Sequence, residues 1–419
     1  GRPIYIKGNK DHGITKGGSN AQIIASILGL YDSSRLTAPQ VKKGSEWESS
    51  KFSDADKKVK AGLKSASKIV LVSNTVISPS LSWAIGDLAV SLGETRDELT
   101  GALSSNKFKH IQYDAVSYAG MRAANKASFG LEENGNGIIP TYDFSKAHTI
   151  VSVGADFLGT WLMPTVFAGQ YATTRNPEGE WMSKHFQFES LMSLTGSNAD
   201  VRAMVKPSEY ANVLAAIAKG VGASVSGVST ELNAQAKAAV DKAVKALKAS
   251  KKNSIVVCGS NNTALQILTN KINSALKAYT ETINVSETMN MFQSHDAEMN
   301  TFVADVIGGK GPDAVIFLDT NPVYSLPNGD KFAEGLKKVK TKITMASHAD
   351  ETANLCDVIV PDHHALEAWM DFNPTKSHYA IAQPTIRPLG DTASSLESVL
   401  VWAGKASRGG KDSKVGYNY

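Results

Sequence analysis

The chain has 419 residues, 42% of them hydrophobic and 20% charged, and its 44 basic and 40 acidic side chains leave a net charge of +4. That length suggests two or three domains with ample core, and the composition is that of a globular chain rather than a disordered one. The small positive excess, without any Lys/Arg run interleaved with aromatics, argues against nucleic acid as a partner, and no window approaches the ~18 apolar residues of a membrane span.

Two cysteines, Cys258 and Cys356, lie far apart in apolar surroundings. They cannot supply the four thiolates of a usual iron–sulfur cluster or a Cys-rich zinc site, and they read as small buried hydrophobes. The chain starts at Gly1 rather than Met, so the lack of a signal peptide carries no argument for the cytoplasm.

In chain order, residues 1–39 read as an N-terminal arm, opening with a hairpin and followed by an apolar helix from Ala21 to Tyr31 capped by Ser19 or Asn20. Residues 40–57 are polar and read as a surface connection. From about Asp54 the pattern alternates. Helix 55–66 leads to strand Ile69–Val72, helix 80–92, a strand near His110–Val116 and a helix across Tyr118–Ala127. A Gly/Asn-rich loop follows at 128–140, then strand Thr149–Val153 ending in Gly154-Ala155-Asp156.

Residues 154–185 carry Trp161, Tyr171 and Trp181 with little periodicity, so a partner interface is expected there. Strand Val201–Val205 and helices 208–219 and 229–249 come next. Strand Ser254–Cys258, helix 263–278 and strand Thr282–Val285 continue the alternation.

Ala314–Leu318 is an apolar run without alternation, as expected of a strand buried on both faces. Asp319-Thr320-Asn321-Pro322 ends it, because Pro322 cannot extend a ladder. A helix then runs from about Asp330 to Lys340. Strands Lys342–Met345 and Asp357–Val360 follow, then a last helix over Ser394–Gly404 and a polar, basic tail. Strands alternating with helices predict mainly parallel sheets.

The densest polar cluster is His348, Asp350, Glu351, Asp362, His363, His364 and Glu367. Its spacing matches no metal motif, and no Walker loop, Gly-x-Gly-x-x-Gly or Gly-x-Ser-x-Gly elbow follows a strand. The cluster follows a parallel strand, at the end where such sheets place ligands. Its histidines are expected to gain a raised pKa from Asp362, Glu367 and Asp371 as neighbours.

Several stretches carry a resemblance. Gly1-Arg2-Pro3, Gly8-Asn9-Lys10-Asp11-His12-Gly13, Gly17-Gly18-Ser19-Asn20, Tyr31-Asp32 and Arg35-Leu36 resemble the N-terminal arm of molybdopterin oxidoreductases. In redox-active members a Cys after the Gly-Gly holds an iron–sulfur cluster. Asn20 takes that place here. The match sharpens towards the molybdopterin-like B-subunit family of bacterial alternative complex III. It rests on Tyr142–Ala147, Gly154–Trp161, Ser193–Asp200, Asn321-Pro322-Val323-Tyr324 and the long stretch from Glu351 through Pro361-Asp362-His363-His364-Ala365-Leu366-Glu367-Ala368-Trp369-Met370-Asp371 to Leu389.

The resemblance implies an α/β fold of two Rossmann-like lobes of the molybdopterin oxidoreductase type, one inserted in the other, with a short N-terminal arm. The arm would span 1–39, the host lobe 40–136 plus 261–405, the inserted lobe 137–260, and residues 406–419 would begin a linker to a further C-terminal portion. It implies a non-catalytic scaffold in a quinol-oxidising respiratory complex, peripheral on the periplasmic side of the bacterial inner membrane. No catalytic residue, metal ligand or cofactor is expected in this portion. Asn321, Pro322, His363, His364 and Glu367 would line a vestigial cleft. Iron–sulfur clusters are expected in the C-terminal portion, c-type haem in a partner subunit, and quinol in integral membrane partners. The alternatives are an active molybdenum enzyme with a non-Cys ligand, for which Ser117 and Asp114 are the candidates, and a cofactor-free relative in another respiratory complex such as complex I.

Overall fold

The computed structural model describes residues 1–133 and 136–419. The expected loop at 128–140 thus falls partly outside the described residues. Its flanks hold short strands at Glu132–Glu133, Asn136–Gly137 and Ile139–Tyr142.

The first sheet has seven strands, in the spatial order Glu46–Ser49, Gln40–Lys43, Val358–Ile359, Thr341–Thr344, Ala314–Leu318, Ile69–Ser73, Phe108–Gln112. The last five pair in parallel, and the 40–49 hairpin adds antiparallel to one edge. Ala314–Leu318 is flanked on both sides, and all five of its residues are buried. Successive side chains point to opposite faces. Ala314, Ile316 and Leu318 pack with helices Phe52–Ser65, Pro79–Ser91 and Ser395–Trp402, while Val315 and Phe317 pack with helices Asp296–Ile307 and Gly329–Leu336. A strand covered twice must be apolar throughout, which is why it reads as an unbroken run.

The second sheet is fully parallel, in the order Val201–Met204, Lys184–Glu189, Thr149–Val153, Ser254–Cys258. One face carries helices Tyr210–Val221, Ala234–Ser250 and Thr263–Leu276. The 234–250 helix buries Ala236, Ala239, Val240, Ala243 and Leu247 as one stripe and turns its lysines outward. The other face packs on Tyr118, Met121, Phe144, Phe157, Trp161 and Phe167. A third, antiparallel sheet joins His378–Ala382, Met370–Thr375, Ile283–Met289 and Ile139–Tyr142, strands from distant parts of the chain.

Several expectations need correction. Helix 263–276 contributes Leu268, Ile272 and Leu276 to the core of the second sheet, so a boundary at 260/261 would cut through one packed layer. Residues 40–49 form an edge hairpin instead of a surface connection. The 1–39 arm contains no strand. Its expected single helix is two short ones, Ala21–Ala25 and Ile27–Leu30, broken at Ser26. Residues 154–185 contain helix Pro164–Thr173, and Phe157, Trp161, Phe167 and Tyr171 lie in the core, which accounts for their aromatic character. Trp181 stacks on His148 at 3.9 Å between ring centroids.

The 405–419 tail is docked rather than linker-like. Arg408 donates to Asp56 at 2.7 and 2.9 Å, Tyr417 meets the Trp369 ring, and the Tyr419 hydroxyl donates to Asp87 at 3.0 Å. Among the described residues, no helix is long and apolar enough to cross a membrane.

Candidate functional site

A cavity of about 400 Å³ lies at the carboxyl ends of the parallel strands of the first sheet. The turns after strands 69–73, 314–318 and 358–359 supply Asn74–Ser78, Asp319, and Asp362 with His363, while Leu81, Trp369 and Phe372 give apolar walls. Its carboxylates are Asp319, Asp362 and Asp371, and no Lys or Arg is among the described residues that line it.

Two of these carboxylates sit on helix N-termini. Asp371 accepts from the Ser78 hydroxyl, from the Ser80 N–H at 3.0 Å and from the Ser80 hydroxyl at 2.8 Å, where helix Pro79–Ser91 begins. Asp362 accepts from the His363 N–H at 2.7 Å, the Ser395 N–H at 2.9 Å and the Ser395 hydroxyl, where helix Ser395–Trp402 begins. A helix N-terminus at a strand end is where an open α/β sheet holds phosphate, because its unpaired N–H groups and dipole favour an anion. Here the chain's own carboxylates take both positions.

The second sheet repeats the device. Asp156 accepts from the Thr195 N–H at 3.1 Å and hydroxyl at 2.7 Å, and Glu189 accepts from Ser193 and from Arg202 Nε at 2.7 Å.

Burial pushes the Asp362 carboxyl up to about 7, with Asp319 adding to the rise and Ser395 opposing it. The Asp319 carboxyl is also raised by burial, against a hydrogen bond with Asn74. Asp319 nonetheless keeps accessible surface and lines the cavity. Asp319 is held at φ +48°, a left-handed conformation that is uncommon outside glycine.

The expected cleft residues separate. Glu367 is fully buried and paired with Arg35 of the arm: Arg35 Nη1 donates at 3.1 Å to Oε1, and Nη2 reaches Oε2. The carboxylate also accepts from the His364 N–H at 2.9 Å and the Leu389 N–H at 2.8 Å. Burial opposes its ionisation, yet Arg35 and these N–H groups outweigh burial and hold the carboxyl below its ordinary range.

His363 borders the cavity and meets the Thr392 hydroxyl at 2.7 Å. Its pKa is pushed down to about 4 by burial, with Arg35 and Arg408 adding and Glu367 opposing. The expected rise is therefore wrong. Asp362, Asp371 and Glu367 are each occupied by other donors, so none is left to pair with the ring.

The His364 ring accepts from the Leu366 N–H at 3.2 Å and meets the Ser26 carbonyl at 3.1 Å, so it fastens the arm. Asn321 is spent on another loop: it accepts from Thr352 Oγ1 at 2.6 Å and donates to Glu351 at 2.7 Å, while buried Pro322 starts a short helix.

Asn20 caps the 21–25 helix through the Ile23 N–H at 2.9 Å and reaches Thr165 at 3.4 Å. Of the two alternative metal ligands, the Ser117 hydroxyl donates to Asp296 at 2.7 Å and Asp114 accepts from Thr75 at 2.6 Å. Both cysteines are buried, and burial raises both thiols, that of Cys258 to about 11.

No family model matches the chain. It is 25% identical over 455 residues to the menaquinone reductase molybdopterin-binding-like subunit of Nitratidesulfovibrio vulgaris, an alignment covering 97% of this chain. The chain spans 62% of the length of that relative. Among solved structures, acetylene hydratase from Pelobacter acetylenicus superimposes with a TM-score of 0.62 at 13% identity, covering 94% of this chain and 65% of that one. The fold is of the molybdopterin oxidoreductase type. A second structure with similar architecture is the formyltransferase/hydrolase complex FhcABCD from Methylorubrum extorquens, solved with methylofuran, with a TM-score of 0.54 at 14% identity over 88% of this chain and 98% of that one.

Active enzymes of the molybdopterin oxidoreductase type carry a phosphate-bearing pterin. The residues here do not fit that group: the cavity offers carboxylates where phosphate needs donors, and the two helix N-termini are already filled.

Proposed function

We propose that this chain is a non-catalytic, molybdopterin-oxidoreductase-like scaffold portion of a membrane-associated respiratory quinone oxidoreductase. The observation that carries the reading is the occupation of the strand-end phosphate positions by Asp362 and Asp371. A cleft whose polar groups satisfy one another gains rigidity, since each unpaired buried group costs about 1–3 kcal/mol, and it loses the ability to take an anionic ligand.

The quinone side of the reading is supported by the relative that is named a molybdopterin-binding-like subunit of a menaquinone reductase. The finer form places the chain in a complex of the alternative complex III kind, on the periplasmic face. Quinol chemistry would then occur in integral membrane partners, and electrons would pass through iron–sulfur clusters and c-type haem outside the residues described. The chain's task is to hold those parts in register.

The test is a native purification through an affinity tag on this chain, followed by variants at the cavity. The chain should bring down integral membrane and redox-cofactor subunits. Deleting it should abolish quinone-linked electron transfer, whereas Asp371→Asn in an assembled complex should leave turnover within about twofold, in line with a change remote from the chemistry. Isolation of the chain alone, or loss of turnover in an intact Asp371→Asn complex, would contradict the proposal.

A further inference from the structure

A groove of about 730 Å³ runs between the N-terminal arm and the antiparallel third sheet. Gly13, Ile14 and Lys16 of the arm form one side, and Tyr142, Glu287 and His378 of the sheet contribute to the other. At its rim His12 of the arm meets His378 of the sheet, with their Nε2 atoms 3.3 Å apart and their rings edge to face at 4.8 Å.

The protons on this pair follow from the neighbours. His12 Nδ1 lies 3.1 Å from the Thr15 N–H, which can only donate. Nδ1 is therefore an acceptor, and the ring proton of neutral His12 is on Nε2. That proton points at His378 Nε2, which must be the acceptor, leaving the His378 proton on Nδ1. A metal bridging the two Nε2 atoms is disfavoured by the same logic, because His12 Nε2 has no free lone pair. The contact needs room: a Cβ on Gly13 would lie 3.1 Å from His378 Cε1.

We infer that His12 and His378 form a latch that holds residues 12–16 over the groove when both rings are neutral and releases them on protonation. A proton on His378 Nε2 removes the acceptor and sets N–H against N–H. A proton on His12 can only go to Nδ1, where it displaces the Thr15 N–H and leaves the Thr15 hydroxyl, 3.0 Å away, as the acceptor. Either event breaks a bond, and protonation of both rings places like charges together. Burial and the neighbouring His378 lower the His12 pKa, in keeping with a ring that stays neutral while latched.

The surrounding charges do not offset an imidazolium. Lys16 lies on the arm itself, and Lys146 is paired with Asp143 and Glu281, each at 3.9 Å. Glu287, on strand 283–289, accepts from the Ser377 N–H at 3.0 Å and hydroxyl at 2.7 Å and faces Lys376. The rest of the arm is held elsewhere, by Arg35 on Glu367 and by the Leu36 N–H on the Ser347 carbonyl at 2.8 Å. The His348–Asp32 contact at 3.3 Å is a further tie between the arm and the first sheet's loops.

Hydrogen–deuterium exchange on the assembled complex, corrected for intrinsic rates, tests this at about pH 7.5 and about pH 5, on either side of the ordinary histidine value of about 6.5. Protection of the peptide spanning residues 12–18 should fall about fivefold in acid, the factor that a lost hydrogen bond corresponds to. His378→Lys should show the acid level at both pH values. His378→Gln, whose amide oxygen accepts from His12 without titrating near neutrality, should keep a larger share of its protection in acid. Equal protection of the native peptide at both pH values, or a native-like pH response in His378→Lys, would overturn the latch.

Discussion

Removing Arg35 should destabilise the protein strongly, and by an amount that depends on pH. The Arg35 side chain is 6% exposed and that of Glu367 is 0% exposed. Of the four donors on the carboxylate, two come from the guanidinium and two from the backbone N–H groups of His364 and Leu389. Arg35→Ala deletes the two that carry charge. Hydrogen bonds to charged groups contribute about 1.5–3 kcal/mol each, and breaking a buried ion pair from one side costs about 3–5 kcal/mol, so both routes lead to the same range. Replacing both partners, as in Arg35→Met with Glu367→Gln, leaves no charge stranded and keeps an acceptor for the His364 and Leu389 N–H groups, so it should recover most of the loss.

The pH sign follows from the depressed Glu367 carboxyl. Its contribution is fully present above the ordinary glutamate value of about 4.3 and is lost as pH falls through the lower folded value. In Arg35→Ala the stranded carboxyl takes up a proton more readily, so the deficit should shrink from neutral pH towards about pH 5. Urea unfolding of both single variants and the double variant, read as a double-mutant cycle, measures the coupling. A deficit for Arg35→Ala below about 1 kcal/mol, the level of an exposed pair, would refute the reasoning.

Asp371→Ala should cost about 0.5–2 kcal/mol, the usual loss of a helix cap, and should expose an anion site, so phosphate or sulfate should raise the melting temperature of the variant more than that of the native protein. Asp362→Asn should gain stability relative to the native protein as pH rises from about 4 to about 7 and hold that gain above it, because the unfolded carboxyl ionises at about 3.9 while the folded one keeps its proton up to about 7. This is read from unfolding midpoints across pH. Cys258 and Cys356 should resist alkylation by iodoacetamide in the folded protein at neutral pH, since burial raises both thiols, and should react once urea unfolds it.

The doubly covered strands were legible because burial on both faces demands an unbroken apolar run. Ala314–Leu318 is such a run, and Thr149–Val153 and Ser254–Cys258 are nearly so, broken only by Thr149, Ser152 and Ser254. Strands built on other rules escaped. Glu46–Ser49 is the edge strand, where charged residues guard against unwanted pairing, and its hairpin partner Gln40–Lys43 is equally polar, so neither shows an apolar strand signal. Lys184–Glu189 alternates His185, Phe186, Gln187, Phe188 and Glu189, yet it is buried on both faces because Tyr171, Ser193 and Arg202 satisfy its polar side. Met370–Thr375 contains Pro374, which argues against a strand from sequence, and the ladder accommodates it where the register shifts between Phe372 and Thr375.

The site was legible as a polar cluster and illegible as a network. His363, His364 and Glu367 stand out in sequence, but the partners that define them do not: Arg35 lies 332 residues from Glu367, Ser80 lies 291 from Asp371, and Ser395 lies 33 from Asp362. Each partner belongs to another element, so no local spacing announces it. Sequence neighbourhood suggested that the histidines would pair with carboxylates. Folding instead assigns those carboxylates to Arg35 and to helix N-termini, and leaves His363 neutral.

Elemental analysis tests the central claim most directly. The intact complex, purified from native membranes through this chain, would be assayed by mass spectrometry for molybdenum and tungsten and by fluorescence of released, oxidised pterin. A scaffold whose phosphate positions are filled by Asp362 and Asp371 predicts neither metal nor pterin above background, while iron remains abundant in the same sample. Molybdenum or tungsten near one equivalent per chain, accompanied by pterin, would contradict it.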